Sequence, residues 1–343
     1  MTRQAVSRPR ATSAGRTGLA LAVVSAATFG TSGTFATSLI DAGWSPGAAV
    51  LARIAAAAAV LTVPGVLALR GRWGQLRRSA GRVAAFGLFA VAGAQLCYFN
   101  AIQLIPIGVA LLLEYLGVVL VVGWMWLRHA QRPGRLTVAG AVTALAGLAL
   151  VLDLSGSARL NPAGVMWGLL AAVGLAVYFV LSASDDAETL PPLAMAWAGM
   201  CVGAITLAAL GAARVLPMTA GASHVRYLHA QVSWVIPVAG LALVAAVIPY
   251  VTGIGAARRL GARLSSFVGM AEVLVAATWA WLRLGQLPTA LQFAGGALIL
   301  AGVALVRLAE PAPAVAPEPA VNQRLSRRRG AAAAGCSRRT SGA

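Results

Sequence analysis

Three ionisable side chains stand inside long apolar runs: Arg53, Glu114 and Glu272. A charge at the centre of a bilayer costs a few kcal/mol or more, so such a residue usually faces a cavity or a partner. Glu114 lies about two turns into its run, between Leu113 and Tyr115. It is the first candidate for recognising a substrate amine or carrying a proton. A structural glutamate, held neutral or paired with Arg53, is the plainer alternative. Glu272 lies about three turns into a later run and admits both readings. Arg53, about two turns after Pro46, could hold a substrate carboxylate or pair with a glutamate. The uncharged candidates are Phe29, Gln95, Tyr98, Asn100, Tyr178, Tyr250 and Thr252. Gln95 and Tyr98, at i and i+3, fit one helix face, which Asn100 cannot share with both. Each of these is more often an interhelical hydrogen bond than a ligand contact.

Catalysis has little support. His129, His224 and His229 fall in loops, and the five-residue spacing of the last two suits no metal site on a helix. No nucleophile–base pair, phosphate-binding glycine loop or paired-carboxylate motif is present. Cys97, Cys201 and Cys336 form no metal or redox spacing; the first two read as small packing residues in apolar runs. No catalytic residue, metal or cofactor is expected, and the lack of a nucleotide-binding loop argues against a primary pump in this chain alone.

These side chains need elements to carry them, and composition says which. Hydrophobic residues make up 59% of the 343-residue chain and charged residues 10%, against roughly 45–50% and about 25% in globular proteins. Mean hydropathy is +0.81. A soluble enzyme, a disordered chain and a secreted disulfide scaffold are thereby excluded. The net charge of +18 comes from arginine alone, since the chain has no lysine. The arginines fall between apolar runs rather than along one helix face, so they mark cytoplasmic loops and not a nucleic-acid site.

A spanning helix needs about 20 mostly apolar residues. That ruler predicts ten helices, near 17–40, 46–69, 83–103, 107–127, 136–152, 162–183, 192–211, 233–256, 261–284 and 288–308. Twenty-two arginines lie in the N-terminal arm, in the loops after the second, fourth and eighth spans, and in the C-terminal tail. The opposite loops carry only Arg159, Arg214, Arg226 and Arg283. The positive-inside rule then puts both termini in the cytoplasm. Residues 1–16 form a cytoplasmic arm, and residues 310–343 a basic tail too polar to bury a core. Trp124, Trp126, Trp279 and Trp281, near helix ends, read as interface anchors.

The chain also matches itself at an offset of 155 residues. Between Trp124–Leu150 and Trp279–Leu305, 14 of 27 positions are identical, among them Trp124/Trp279, Arg128/Arg283, Gln131/Gln286, Pro133/Pro288, Gly140/Gly295 and Gly147/Gly302. Residues 17–156 and 157–309 are therefore two copies of five helices. An odd number per copy makes the second enter the membrane from the opposite side, so the expected fold is all-α and polytopic, with inverted halves. The paired glycines read as close helix packing, with a homodimer face as a further option.

Here the residues resemble a known family. Ile105-Pro106-Ile107-Gly108 and Leu113-Glu114-Tyr115-Leu116-Gly117 are similar to the fourth-helix pattern of EamA-type transporters of the drug/metabolite superfamily, and within them of the bacterial threonine/homoserine exporters. Pro249-Tyr250, Arg259-Leu260-Gly261-Ala262-Arg263, Phe267, Gly269, Met270 and Glu272 resemble the second-half pattern. Prolines usual in that subgroup are replaced by Val118, Gly261 and Val273, and a usual glutamate by Gln131 and Gln286. The resemblance spans about residues 17–308. It implies an exporter of small polar metabolites, amino acids first, in the bacterial inner membrane. Substrate would sit among helices 1, 3, 4, 6, 8 and 9, near Glu114, Glu272, Arg53, Gln95, Tyr98, Tyr178 and Tyr250. Proton exchange through the two glutamates and facilitated diffusion are both open energetic schemes. The expected partners are a small-molecule substrate and membrane lipid, with no nucleic acid, and the chain acts as monomer or homodimer. Export of drugs or other amphiphiles is the nearer alternative, a non-transporting membrane enzyme or scaffold the more distant one.

Overall fold

In lipid every backbone N–H and C=O must find its partner within the protein, so long apolar runs fold as helices. The computed structural model describes residues 10–105, 107–130, 132–151, 161–183, 190–227, 230–284 and 290–309. Among these, seven helical segments are long and apolar enough to cross a membrane: Gly15–Asp41, Pro46–Ala68, Ala80–Leu104, Val109–Arg128, Pro162–Ser182, Pro192–Ala212 and Val235–Ala276. Two shorter apolar helices, Arg135–Leu150 and Phe293–Val306, accompany them. The chain is a multi-pass helical membrane protein. Large apolar side chains stand exposed on its helices, Val63, Leu127, Val142 and Ile205 among them, as lipid-facing surfaces require. Thr12–Glu310 forms one unit; of the other, Met1–Ala11 with Pro311–Ala343, only Arg10 and Ala11 are described, at the start of the first helix.

In chain order the helices are α1 (Arg10–Phe29), α2 (Ser32–Asp41), α3 (Pro46–Ala68), α4 (Trp73–Arg78), α5 (Ala80–Ala85), α6 (Ala94–Leu104), α7 (Ile107–Tyr115), α8 (Gly117–His129), α9 (Arg135–Val151), α10 (Pro162–Ser182), α11 (Pro192–Ala212), α12 (Val235–Ala242), α13 (Ile248–Gly269), α14 (Ala271–Leu284) and α15 (Ala290–Ala309). Two π-helical segments, Phe86–Gly93 and Leu243–Val247, join α5 to α6 and α12 to α13. The first helix begins at Arg10, upstream of the boundary expected at 17. Helix starts follow local chemistry. The Ser45 side chain accepts from the Ala48 N–H ahead of α3, and Asn161 accepts from the Ala163 N–H ahead of α10. A proline at the first helical position follows each, where its missing N–H costs nothing.

Several expected spans are broken rather than continuous. The first turns at Gly30 and Thr31, between α1 and α2. The third contains the π-helical segment. The fourth is interrupted at Leu116, between α7 and α8. Within α13, Gly261 leaves helical geometry at φ 81° and ψ 162°, a conformation that a side chain would strain. These interruptions recur at the repeat offset. The π-helical segments overlap under the 155-residue shift; the Gly261 kink coincides with the gap between α6 and α7; the α13–α14 junction falls one residue from the α7–α8 junction. The breaks near Leu116 and Met270 form although the usual prolines are replaced by Val118 and Val273.

The paired glycines are used inside the chain. A Cβ on Gly140 would meet the Gly302 carbonyl, and one on Gly147 the Gly295 carbonyl. Rising numbers on α9 meet falling numbers on α15, so these two helices, equivalents under the repeat, lie antiparallel with their backbones in contact. The glycine face of α9 is thus filled by α15 of the other repeat and is not open to a second copy.

The connection from α11 to α12 is a second correction. Where a plain loop was expected, two strands pair antiparallel, β1 (His224–Tyr227) and β2 (Ala230–Ser233), with His224 opposite Ser233 and Tyr227 opposite Ala230. His224 therefore lies on a strand and His129 ends α8; His229, Cys336 and the tail lie outside the described residues. The hairpin is tied to the α2–α3 turn. Ala222 N–H donates to the Ala42 carbonyl (3.1 Å), Ser45 N–H to the Thr219 carbonyl (3.0 Å) and Ser45 Oγ to the Pro217 carbonyl (2.7 Å). Phe35 stacks on Tyr227 with centroids 5.2 Å apart, and Trp44 meets Trp234 at 5.4 Å.

Candidate functional site

The interruptions at Gly30, in the first π-helical segment, after Tyr115 and after Gly269 border one cavity of about 420 Å³, within the size range of small-molecule sites. Its wall is drawn from α1, α2, the first π-helical segment, α6, α7, α10, α13 and α14. Phe29, Gln95, Tyr98, Glu114, Tyr178, Tyr250 and Glu272 all line it; Asn100, Thr252 and Arg53 do not. Asn100 donates to the Leu96 carbonyl (2.7 Å) and Thr252 to that of Ile248 (2.8 Å), each one turn back on its own helix.

The two glutamates are held differently. Glu272 sits in the first turn of α14, where unpaired N–H groups favour a carboxylate. Its Oε2 lies 2.8 Å from the Tyr115 hydroxyl, whose single proton is shared between that oxygen and the Gly269 carbonyl at 3.0 Å. Glu114 lies near the end of α7, beside the break at Leu116. Among the described residues it has no hydrogen-bond donor, and it lines the cavity. Glu114 and Tyr115 are neighbours on α7 and point about 100° apart, yet both line the cavity.

Arg53 is buried behind the cavity wall. Its guanidinium donates to Ser32 Oγ (3.0 Å), to Gln95 Oε1 and to the Ala245 carbonyl. No carboxylate among the described residues comes within ion-pair distance, although Glu114 and Glu272 both act on it through space. A buried cation is tolerable only when its donors are filled. Here three neutral oxygens fill them, and Nε finds no partner among the described residues.

The remaining wall is aromatic. Phe29 meets Tyr250 edge-on at 5.3 Å, Tyr178 meets Tyr250 at 5.5 Å and Phe179 at 5.0 Å, with Phe86 packed behind. The faces of such rings attract organic cations. Ser25 donates to the Pro249 carbonyl at 2.9 Å, joining α1 to the start of α13. The cavity therefore offers an unpaired carboxylate, a second carboxylate held by a phenol, amide and hydroxyl groups, and an aromatic wall. It could take a small organic solute bearing an amine.

Sequence reasoning passed over Tyr115, Ser25, Ser32 and the backbone carbonyls of the π-helical segments. The density of Thr and Ser from Thr28 to Ser38 was a usable signal for a polar wall. Tyr115 carried none, because its partners, Gly269 and Glu272, lie more than 150 residues away in the chain.

Comparison with known proteins agrees with this architecture. The model of the EamA-like transporter family matches the chain twice, at residues 16–153 and 162–308. One solved crystal structure, whose title states no function, shares 24% identity over 88% of this chain and 99% of its own, with a TM-score of 0.64; this likeness concerns the fold alone. No curated protein matches significantly.

Proposed function

Because the chain belongs to the EamA-like transporter family, whose members carry small molecules across membranes and are not enzymes, we propose that it is a secondary transporter. It exports small polar metabolites, amino acids such as threonine and homoserine first, across the bacterial inner membrane by alternating access. The observation that carries this reading is Glu114: a carboxylate without a protein donor among the described residues, on the wall of a cavity between the two repeats. A group so placed can meet an ammonium substrate or exchange a proton with either side. Glu114→Gln keeps size and hydrogen bonding while removing the titration. The variant reaches the membrane at near-normal level but loses export against a gradient, measured as solute flux in proteoliposomes. Wild-type concentrative export by Glu114→Gln would end both the charge-recognition and the proton roles.

The topology that goes with this function is ten membrane passages in two inverted halves with both termini cytoplasmic. The antiparallel pairing of α9 with α15, the helix interruptions repeated at one offset, and the arginine bias all support it. Export of amphiphilic cations is a second reading, favoured by the aromatic wall of Phe29, Tyr178, Phe179 and Tyr250. The same flux assay, run with threonine and with a lipophilic cation, separates the two.

A further inference from the structure

An α-helix interrupted by a π-helical turn passes from i→i+4 to i→i+5 bonding and back, and on the return one carbonyl is left without a helical donor. In the first half the Ala94 N–H bonds the Phe89 carbonyl, and in the second the Ile248 N–H bonds that of Leu243; both pairs are five apart. Just beyond each, a carbonyl is taken by a side chain from the opposite half: that of Ala90, directly after Phe89, and that of Ala245, two residues after Leu243. Tyr250 Oη donates to the Ala90 carbonyl at 3.1 Å, and Arg53 donates to the Ala245 carbonyl. Ala90 and Ala245 are separated by 155 residues, the repeat offset. In the second half the reason is plain, since the residue that would bond Ala245 in an α-helix is Pro249, which has no N–H.

The two capping residues also share a neighbour on the cavity wall. Arg53 donates to Gln95 Oε1, and Gln95 lines the cavity together with Tyr250. Gln95 and Tyr250 are themselves 155 residues apart.

Resting on the transporter reading above, we propose that Arg53 and Tyr250 are a matched pair of positioning residues. Each caps a carbonyl left without a helical donor at the π-helical segment of the other half, and together they hold the cavity in the conformation described here. Their release accompanies the passage to the alternative conformation. Both bonds belong to the same state, so loss of either shifts the balance of states in the same direction. A purely structural pair would instead change the amount of folded protein and leave that balance untouched.

The test uses the full chain with Cys97, Cys201 and Cys336 replaced by alanine and Thr37→Cys introduced on the cavity wall as reporter. A membrane-impermeant maleimide is applied to right-side-out and to inside-out vesicles, and the ratio of the two labelling rates reports the balance of states. Tyr250→Phe, which preserves the ring, shifts the ratio roughly fivefold, as expected for one buried hydrogen bond. Arg53→Gln shifts it further in the same direction, and the double variant furthest. If Arg53→Gln does not reach the membrane, Tyr250→Phe decides alone. A ratio within twofold of the parent in Tyr250→Phe, or opposite shifts in the two variants, overturns the pairing while leaving transport intact. A parent reporter labelled from one side only, with or without threonine, overturns alternation and the pairing with it.

Discussion

Glu114 and Glu272 share a cavity but not a situation, and the Tyr115 hydroxyl makes the difference. A hydrogen bond to a charged group is worth about 1.5–3 kcal/mol, and losing it leaves a buried carboxylate oxygen without its donor. Tyr115→Phe removes that bond without changing the ring. Export per folded molecule in proteoliposomes is expected to fall roughly tenfold, since about 1.4 kcal/mol corresponds to a factor of ten. If the bond served folding alone, detergent-solubilised yield would drop and the specific rate would not. At this scale the sequence was informative wherever a polar residue interrupted an apolar run. Gln95, Tyr98, Tyr178 and Tyr250 were legible for that reason, and the structure brings all four to the cavity wall. Arg53 was legible as an oddity, but its partners were not. Two of them are neutral side chains, and the third is a backbone carbonyl whose availability no residue type announces.

Elements were legible as far as hydropathy reaches, and their interruptions were not. Apolar length marks a span, yet it is silent on whether the span is straight, because leucine, valine and alanine suit an α-turn and a π-turn alike. The kink at Gly261 and the break at Leu116 leave no mark in the hydropathy of their runs. Glycines are equally unmarked. Gly147 on α9 and Gly123 on α8 are alike in sequence, but a Cβ on Gly147 would lie 2.6 Å from the Gly295 carbonyl, while one on Gly123 meets nothing within 4 Å. Gly147→Ala is expected to lower stability by about 1–3 kcal/mol, the usual range for overpacking. Gly123→Ala should leave it unchanged or raise it by up to about 1 kcal/mol through helix propensity. Thermal unfolding in one detergent would compare the two. Equal effects would mean that the α9–α15 contact is not a close backbone contact.

At the scale of the whole molecule, the inverted arrangement makes a directional prediction. Reporter fusions after Leu69 and after Leu308 are expected to report cytoplasm, and one near Ala220 the exterior. An external signal after Leu308 would break the arrangement. That fusion near Ala220 enters the segment carrying the β-hairpin, which hydropathy could not foresee because its strands are short and polar. The stretch leading into the hairpin is bonded to the α2–α3 turn through Ala42 and Ser45, and Tyr227 of β1 stacks on Phe35 of α2. Since α2 supplies Ser32, Gly33, Thr34 and Thr37 to the cavity wall, the hairpin must travel with that part of the wall whenever it moves.

The coincident π-helical segments also record an order of events. A π-turn accommodates one residue more than the α-helix around it, and here the extra residue falls at the same place in both copies, Phe86–Gly93 and Leu243–Val247. Had the chain doubled first, the same insertion would have had to arise twice at one position. The simpler history puts it in a single five-helix ancestor, before duplication. The irregular backbone around this cavity is then older than the covalent joining of the two halves.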